Sequence, residues 1–246
     1  MQIECGIEML EIAANVMGKP GVIYPTLVWD DETAILVDSG YPGQLPQIEK
    51  AINKAGISFD KISRIILTHH DIDHVGSALN IKEKSHEYIN ILAHEEEIPY
   101  IQGDKCPLKL EQLEASLEVL PAEMKSIYEK LKAGFQSSKV RVDMPLKDGD
   151  ELPYCGGILV IHTPGHTLGH ICLYLKQSKT LIAGDMLGVE DGYLVPSPEQ
   201  INFDHNMYQK SLEKLIAYDI QTVICYHGGL YEDKVNKRIK ELINKL

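Results

Sequence analysis

The run His69-His70-Asp71-Ile72-Asp73-His74 sets three imidazoles and two carboxylates within six residues. Borderline cations such as Zn²⁺ and Fe²⁺ are held by imidazole nitrogen and carboxylate oxygen in fixed relative geometry, so a cluster this dense is what a metal site needs. Apolar, β-branched residues 62–67 precede it and read as a buried strand, which would deliver the cluster at its C-terminal end. A polar loop that happens to be rich in His and Asp is the bland alternative, and the rest of the chain argues against it.

Four other apolar runs end in the same way. Asp38 follows Ala34-Ile35-Leu36-Val37, and His166, in Thr163-Pro164-Gly165-His166-Thr167, follows a run at 158–161. Asp185 closes Leu181-Ile182-Ala183-Gly184-Asp185, and His227 follows Val223-Ile224-Cys225-Tyr226. Any one of these is weak alone, because a single His or Asp at a strand end is more often a satisfied turn residue. Together, and in this order, they form a constellation.

The elements that must position these residues alternate between strand and helix, with an internal echo. In the first half, strand 34–37 is followed by helix 44–55, with Leu45, Ile48, Ile52 and Ala55 on one face and Gly56 as its stop, and then by strand 62–67. In the second half, strand 180–183 is followed by helix 206–217, carrying Leu212, Leu215 and Ile216, and by strand 222–225. Each half brings an acid from one strand and a histidine from a later one. Packed sheet to sheet, two such halves place both sets of strand ends at one edge, so an α/β fold of the four-layer αββα type is expected. Between them, residues 95–138 are helical by pattern, with Leu110, Leu113, Leu117 and Leu120 recurring before Pro121 and Met124, Ile127, Tyr128 and Leu131 after it. This insertion reads equally as two amphipathic helices covering core and as a cap over the metal edge.

The order of motifs resembles the metallo-β-lactamase-fold hydrolase superfamily, from about Val28 to His227. The family pattern His-x-His-x-Asp-His stands here with Asp71 in place of its second histidine. The resemblance implies that His69, Asp71, His166 and Asp185 hold a first metal, and that Asp73, His74, Asp185 and His227 hold a second, with Asp185 bridging. It implies that Asp38 fixes ligand positions without binding metal. It also implies two divalent cations, zinc or else iron or manganese. The function expected is binuclear, metal-dependent hydrolysis of a small ester, thioester, lactone or phosphoester by a metal-bridging hydroxide, with Asp73 as the catalytic residue that orients it. No Gly-x-Ser-x-Gly nucleophile elbow is present.

Asp71 is the departure that matters. A carboxylate in place of a neutral imidazole adds a negative charge and favours harder ions such as Mn²⁺ or Fe²⁺. A carboxylate at this position also resembles the metal domain of the flavodiiron oxidoreductases, so a di-iron redox protein is the alternative function. Among the remaining residues, His70 is out of phase with inward-pointing neighbours and His170 suits a supporting role. His86, His94, His162 and His205 read as structural or exposed. Cys225 shares a strand phase with His227 and could approach the site, and Tyr193 and Tyr226 are placed to meet substrate by proximity alone.

Composition limits the partners. A formal net charge of −12 works against nucleic acid, whose binders need Lys and Arg for the phosphates, and Lys125, Lys130, Lys132, Lys139 and Arg141 read as solvated helix lysines and arginine. A small-molecule substrate is expected, with neither nucleic acid nor membrane as partner, and a homodimer is left open. The 246 residues, 44% hydrophobic, suffice for one metallo-β-lactamase-type domain spanning residues 1–246. Acids near the start, no apolar leader and five cysteines without paired spacing make the cytoplasm the expected compartment.

Overall fold

In the computed structural model, the described residues are 6–16, 19–85, 87–119 and 121–245, so His86 and Leu120 lie outside them. The chain opens with β1 (Gly6–Met9), the hairpin of β2 (Ile12–Val16) and β3 (Lys19–Ile23), then β4 (Thr26–Trp29) and β5 (Ala34–Val37). Helix α1 (Leu45–Lys54), β6 (Ile62–Leu67), the single turn α2 (Ile72–Val75), α3 (Ala78–Lys84) and β7 (Asn90–His94) follow. The insertion supplies α4 (Ile98–Ile101), α5 (Leu108–Ala115) and α6 (Ala122–Ser137). Strands β8 (Met144–Leu146), β9 (Glu151–Leu152), β10 (Ile158–His162), β11 (Ile171–Leu175) and β12 (Thr180–Ile182) lead into the second half. The chain closes with the hairpin β13 (Leu187–Glu190) and β14 (Tyr193–Pro196), α7 (His205–Lys214), β15 (Thr222–Cys225), β16 (Gly229–Tyr231) and α8 (Val235–Ile243).

Two mixed six-stranded sheets form, in the orders β1-β4-β5-β6-β7-β8 and β16-β15-β12-β11-β10-β9. Strands β5 to β8 run parallel in the first, and β12 and β15 run parallel in the second. The period of two along each strand decides the layers. Ile35, Val37 and Ile66 of the first sheet meet Val160, Ile171, Leu173 and Ile182 of the second in a core between the sheets. Ala34, Leu36, Ile65 and Leu67 point the other way, onto Ile48 and Ile52 of α1 and Ile81 of α3. On the far side, Leu181, Val223 and Cys225 pack with Leu212 of α7 and Ile239 and Leu242 of α8. The fold is therefore the αββα sandwich. With both sheet faces covered, its parallel strands read in sequence as continuous apolar runs.

The expected helix at 44–55 starts and stops one residue inside those limits, and helix 206–217 is an α-helix ending at Lys214 followed by a 3₁₀ turn over Leu215–Ala217. The leucine repeat of the insertion is less helical than its spacing predicts, since α5 ends at Ala115 and Leu117 lies in a turn. No helix among the described residues is long and apolar enough to cross a membrane.

Candidate metal centre

Strand ends β5, β6 and β12, and the turns after β10 and β15, meet at one edge. Asp38 leaves β5 with φ 61°, an uncommon backbone state for a non-glycine residue, and its carboxylate is committed on both oxygens. Oδ1 accepts from Thr68 N at 2.8 Å, and Oδ2 accepts from Thr68 Oγ1 at 2.8 Å and His74 Nδ1 at 2.9 Å. Because Thr68 Oγ1 gives its proton to Asp38, it must accept from His69 Nδ1, 3.0 Å away. His166 Nδ1 likewise donates to Asn202 Oδ1 at 3.1 Å. Each hydrogen bond places the ring proton on Nδ1 and leaves Nε2 bare on the other side.

Those three bare nitrogens face carboxylates. The donor atoms of His69, Asp71, His166 and Asp185 lie within 4.8 Å of one another, as do those of Asp73, His74 and His227. Asp185 divides its oxygens between the groups. Its Oδ1 is 3.2 Å from His74 Nε2 and 3.5 Å from His227 Nε2, while its Oδ2 is 3.4 Å from His166 Nε2. Asp73 Oδ2 is 3.3 Å from His227 Nε2, and Asp71 Oδ2 is 3.1 Å from His166 Nε2 and 3.3 Å from His69 Nε2. His69 Nε2, His74 Nε2 and Asp185 Oδ1 are buried without a hydrogen-bond partner among the described residues. Buried polar atoms are normally paired, so three orphans around one point mark a place for a cation. The donor set, imidazole nitrogen with carboxylate oxygen, fits a borderline divalent metal.

The electrostatics say the same. Burial alone would lower the pKa of His74, yet the carboxylates of Asp185, Asp38 and Asp73 hold it well above the usual histidine value. Burial works to raise Asp185, and His227, His74 and His166 hold it well below the usual carboxylate range. The carboxylates demand positive charge, which protons or a cation can supply.

Positions around the cluster are fixed by buried contacts. His170 Nε2 accepts from the backbone N–H of Asp185 at 3.1 Å and its Nδ1 meets Thr163 Oγ1 at 2.8 Å, so it supports Asp185 from behind. Burial lowers His170 to about 3, which keeps it a neutral acceptor. Gly184, at φ 51°, admits this approach: a Cβ there would stand 2.7 Å from His170 Nε2. His70 turns away from the cluster, stacks on Tyr100 at 4.5 Å and pairs with Glu97 through Nδ1. Tyr226 is buried, 3.9 Å from His74 between ring centroids, with its hydroxyl donating to the Asp73 carbonyl. It braces His74 and Asp73, where proximity alone had suggested a substrate contact. Cys225 packs in the outer core and Tyr193 is exposed on its hairpin. His94 and His162 stack on each other at 3.9 Å.

Three contributors escaped the reading of the sequence. Glu97, fully buried, accepts from His70 N, Thr167 Oγ1 and Gly169 N at 2.8, 2.8 and 2.6 Å, tying the loop of His69 to the loop of His166. Asn202 orients His166, and Lys109 of α5 reaches Asp71 Oδ2 and comes within 3.1 Å of His166 Nε2. Nothing in Glu95-Glu96-Glu97 or Leu108-Lys109-Leu110 separates these side chains from ordinary surface residues.

Residues 18–227 match the family model of the metallo-beta-lactamase superfamily. This chain belongs to that superfamily. A relative in Bacillus subtilis (strain 168), named "Probable metallo-hydrolase YflN", is 30% identical over 243 residues, covering 92% of this chain and 87% of the relative. Among solved structures, the metallo-beta-lactamase family protein TTHA1429 from Thermus thermophilus superposes with a TM-score of 0.70 at 22% identity, over 98% of this chain and 79% of that one. A chemotaxis sensor ODP, solved as a peroxy diiron species, superposes with a TM-score of 0.63 at 17% identity, over 98% of this chain and 91% of that one.

Proposed function

We propose that this superfamily member is a binuclear metallo-hydrolase acting on a small ester, thioester, lactone or phosphoester. The observation that carries the reading is the division of Asp185, one oxygen toward His74 and His227 and the other toward His166. His69, Asp71, His166 and Asp185 would hold one cation, and Asp73, His74, Asp185 and His227 the other. When bound, such cations supply an activated water at neutral pH and polarise a carbonyl or phosphoryl oxygen. Asp73 would orient that water as well as bind metal. His227 is the most open of these four imidazoles, its side chain 36% exposed. The metallo-hydrolase name of the Bacillus subtilis relative supports this assignment.

A carboxylate at Asp71 favours a second reading, a di-iron redox protein, in keeping with the harder ions such a ligand selects and with the diiron state of the structurally similar sensor. Elemental analysis after mild purification, followed by assays of zinc-, manganese- and iron-loaded protein on ester, thioester, lactone and phosphodiester panels, separates the two. Turnover of one hydrolytic class with close to two metals per chain is expected. O₂ consumption without hydrolysis would favour the redox protein, and one metal or fewer after reconstitution would sink the binuclear reading.

A further inference from the structure

One cation already stands in the first ligand group. Lys109 Nζ pairs with Asp71 Oδ2 and lies 3.1 Å from His166 Nε2, its side chain 36% exposed. The position of this ammonium is set by packing in the insertion. Leu110, next along α5, is buried, and Tyr128 of α6 donates to Glu114 of α5 at 2.8 Å. Helix α6 in turn approaches the ligand turn: a Cβ at Gly134 would stand 3.2 Å from Ile72 Cγ1. The insertion is thus a cap on the metal edge, and Lys109 is its point of contact with the ligands.

Asp71 stands where the family pattern has a histidine. A neutral imidazole brings no charge to the group, a carboxylate brings one negative charge, and the ammonium of Lys109 cancels it. We propose that Asp71 and Lys109 act as one unit, a carboxylate ligand with its own counter-ion supplied by the cap, which together present the first metal with the charge of a neutral ligand. Lys109 is then a positioning residue. It sets the charge and orientation of Asp71, and it couples the cap to metal occupancy. A lysine retained beside an imidazole at position 71 would instead put an uncompensated ammonium next to a divalent cation, which costs affinity.

This inference rests on the ligand assignment proposed above, and a double-mutant cycle tests it separately. Wild type, Asp71→His, Lys109→Met and the double variant are stripped with chelator. Each is then titrated with Zn²⁺ and with Mn²⁺ against a competing chromophoric chelator, with stoichiometry from elemental analysis and thermal midpoints of the metal-free chains as the check on folding. Asp71→His alone, although it restores the family residue, is expected to weaken the first site by about tenfold, and adding Lys109→Met to recover that loss. Lys109→Met alone should tighten divalent binding, because the carboxylate is left without its counter-ion. If Lys109→Met neither tightens divalent binding in wild type nor recovers the loss in Asp71→His while wild type holds its metals, the compensating pair is wrong and the ligand assignment survives. If wild type binds no metal, the assignment fails and the pair falls with it. Should Asp71→His not fold, Asp71→Asn, nearly the same in shape, runs the same cycle.

Discussion

Asp38 Oδ2 accepts the Nδ1 proton of His74 at 2.9 Å across a separation of 36 residues, and this one bond decides which face of the imidazole is available. Asp38 touches none of the other candidate ligands directly. Its role is to hold His74 and, through Thr68 Oγ1, His69 in the tautomer that leaves both Nε2 atoms bare. Asp38→Asn removes the charge and leaves the amide free to turn its N–H₂ toward His74. Metal affinity should fall about 10- to 100-fold with the ligands themselves intact, the usual cost of losing such a partner. Chelator competition against wild type measures it, and unchanged affinity would remove Asp38 from the centre.

Ligands and supports should separate cleanly under alanine substitution. His166→Ala, Asp185→Ala and His227→Ala are each expected to lose metal and essentially all turnover. His70→Ala should keep its metals, because His70 faces Glu97 and Tyr100, away from the cluster. Elemental analysis of the four proteins decides the matter: a His70→Ala chain emptied of metal would mean the ligand turn has been misassigned.

Glu97 is a buried charge with four hydrogen-bond donors converging on it, two of them from His70. Burial raises its pKa, and His70, Thr167 and Gly169 together hold it below the usual value. Glu97→Ala leaves His70 and the 167–169 loop without their acceptor, and stability should fall by about 3–5 kcal/mol, the range for breaking a buried pair. Urea unfolding monitored by circular dichroism reads this directly. A loss below about 1 kcal/mol, the scale of an exposed pair, would mean solvent reaches the network.

His94 gives a pH dependence whose sign can be worked out. Burial, then the neighbouring His162, lowers its pKa from 6.5 to about 4 in the folded chain. Between those values the unfolded chain binds the proton and the folded chain does not, so stability contributed by a neutral His94 is present above pH 6.5 and lost as pH falls toward 4. His94→Phe keeps the ring against His162 and cannot titrate. Its unfolding free energy should therefore decline less steeply than wild type over that window, and parallel slopes would show that His94 titrates normally.

Most of the candidate site was legible before any coordinates. The strand ending at Leu67 and the strands at 34–37 and 222–225 stand where apolar, β-branched runs put them, because a strand covered on both faces has no polar alternation to blur its limits. His69, Asp71, Asp73, His74, His166, Asp185 and His227 stood out because each lies near the end of such a run or in a dense local cluster, and the resemblance to the superfamily gave them their expected roles as ligands. That Asp185 bridges is what the resemblance implies; which of its oxygens faces His74 and His227 and which faces His166 depends on a rotamer and on two sheets meeting at one edge, and the folded chain decides that. Glu97 and Lys109 were hidden for the same reason: a lone acid or lysine on a short helix carries no signal until packing buries it against a partner far away in sequence. Residue type at strand ends set the chemistry within reach, and tertiary packing decided which charges the ligands would have to live with.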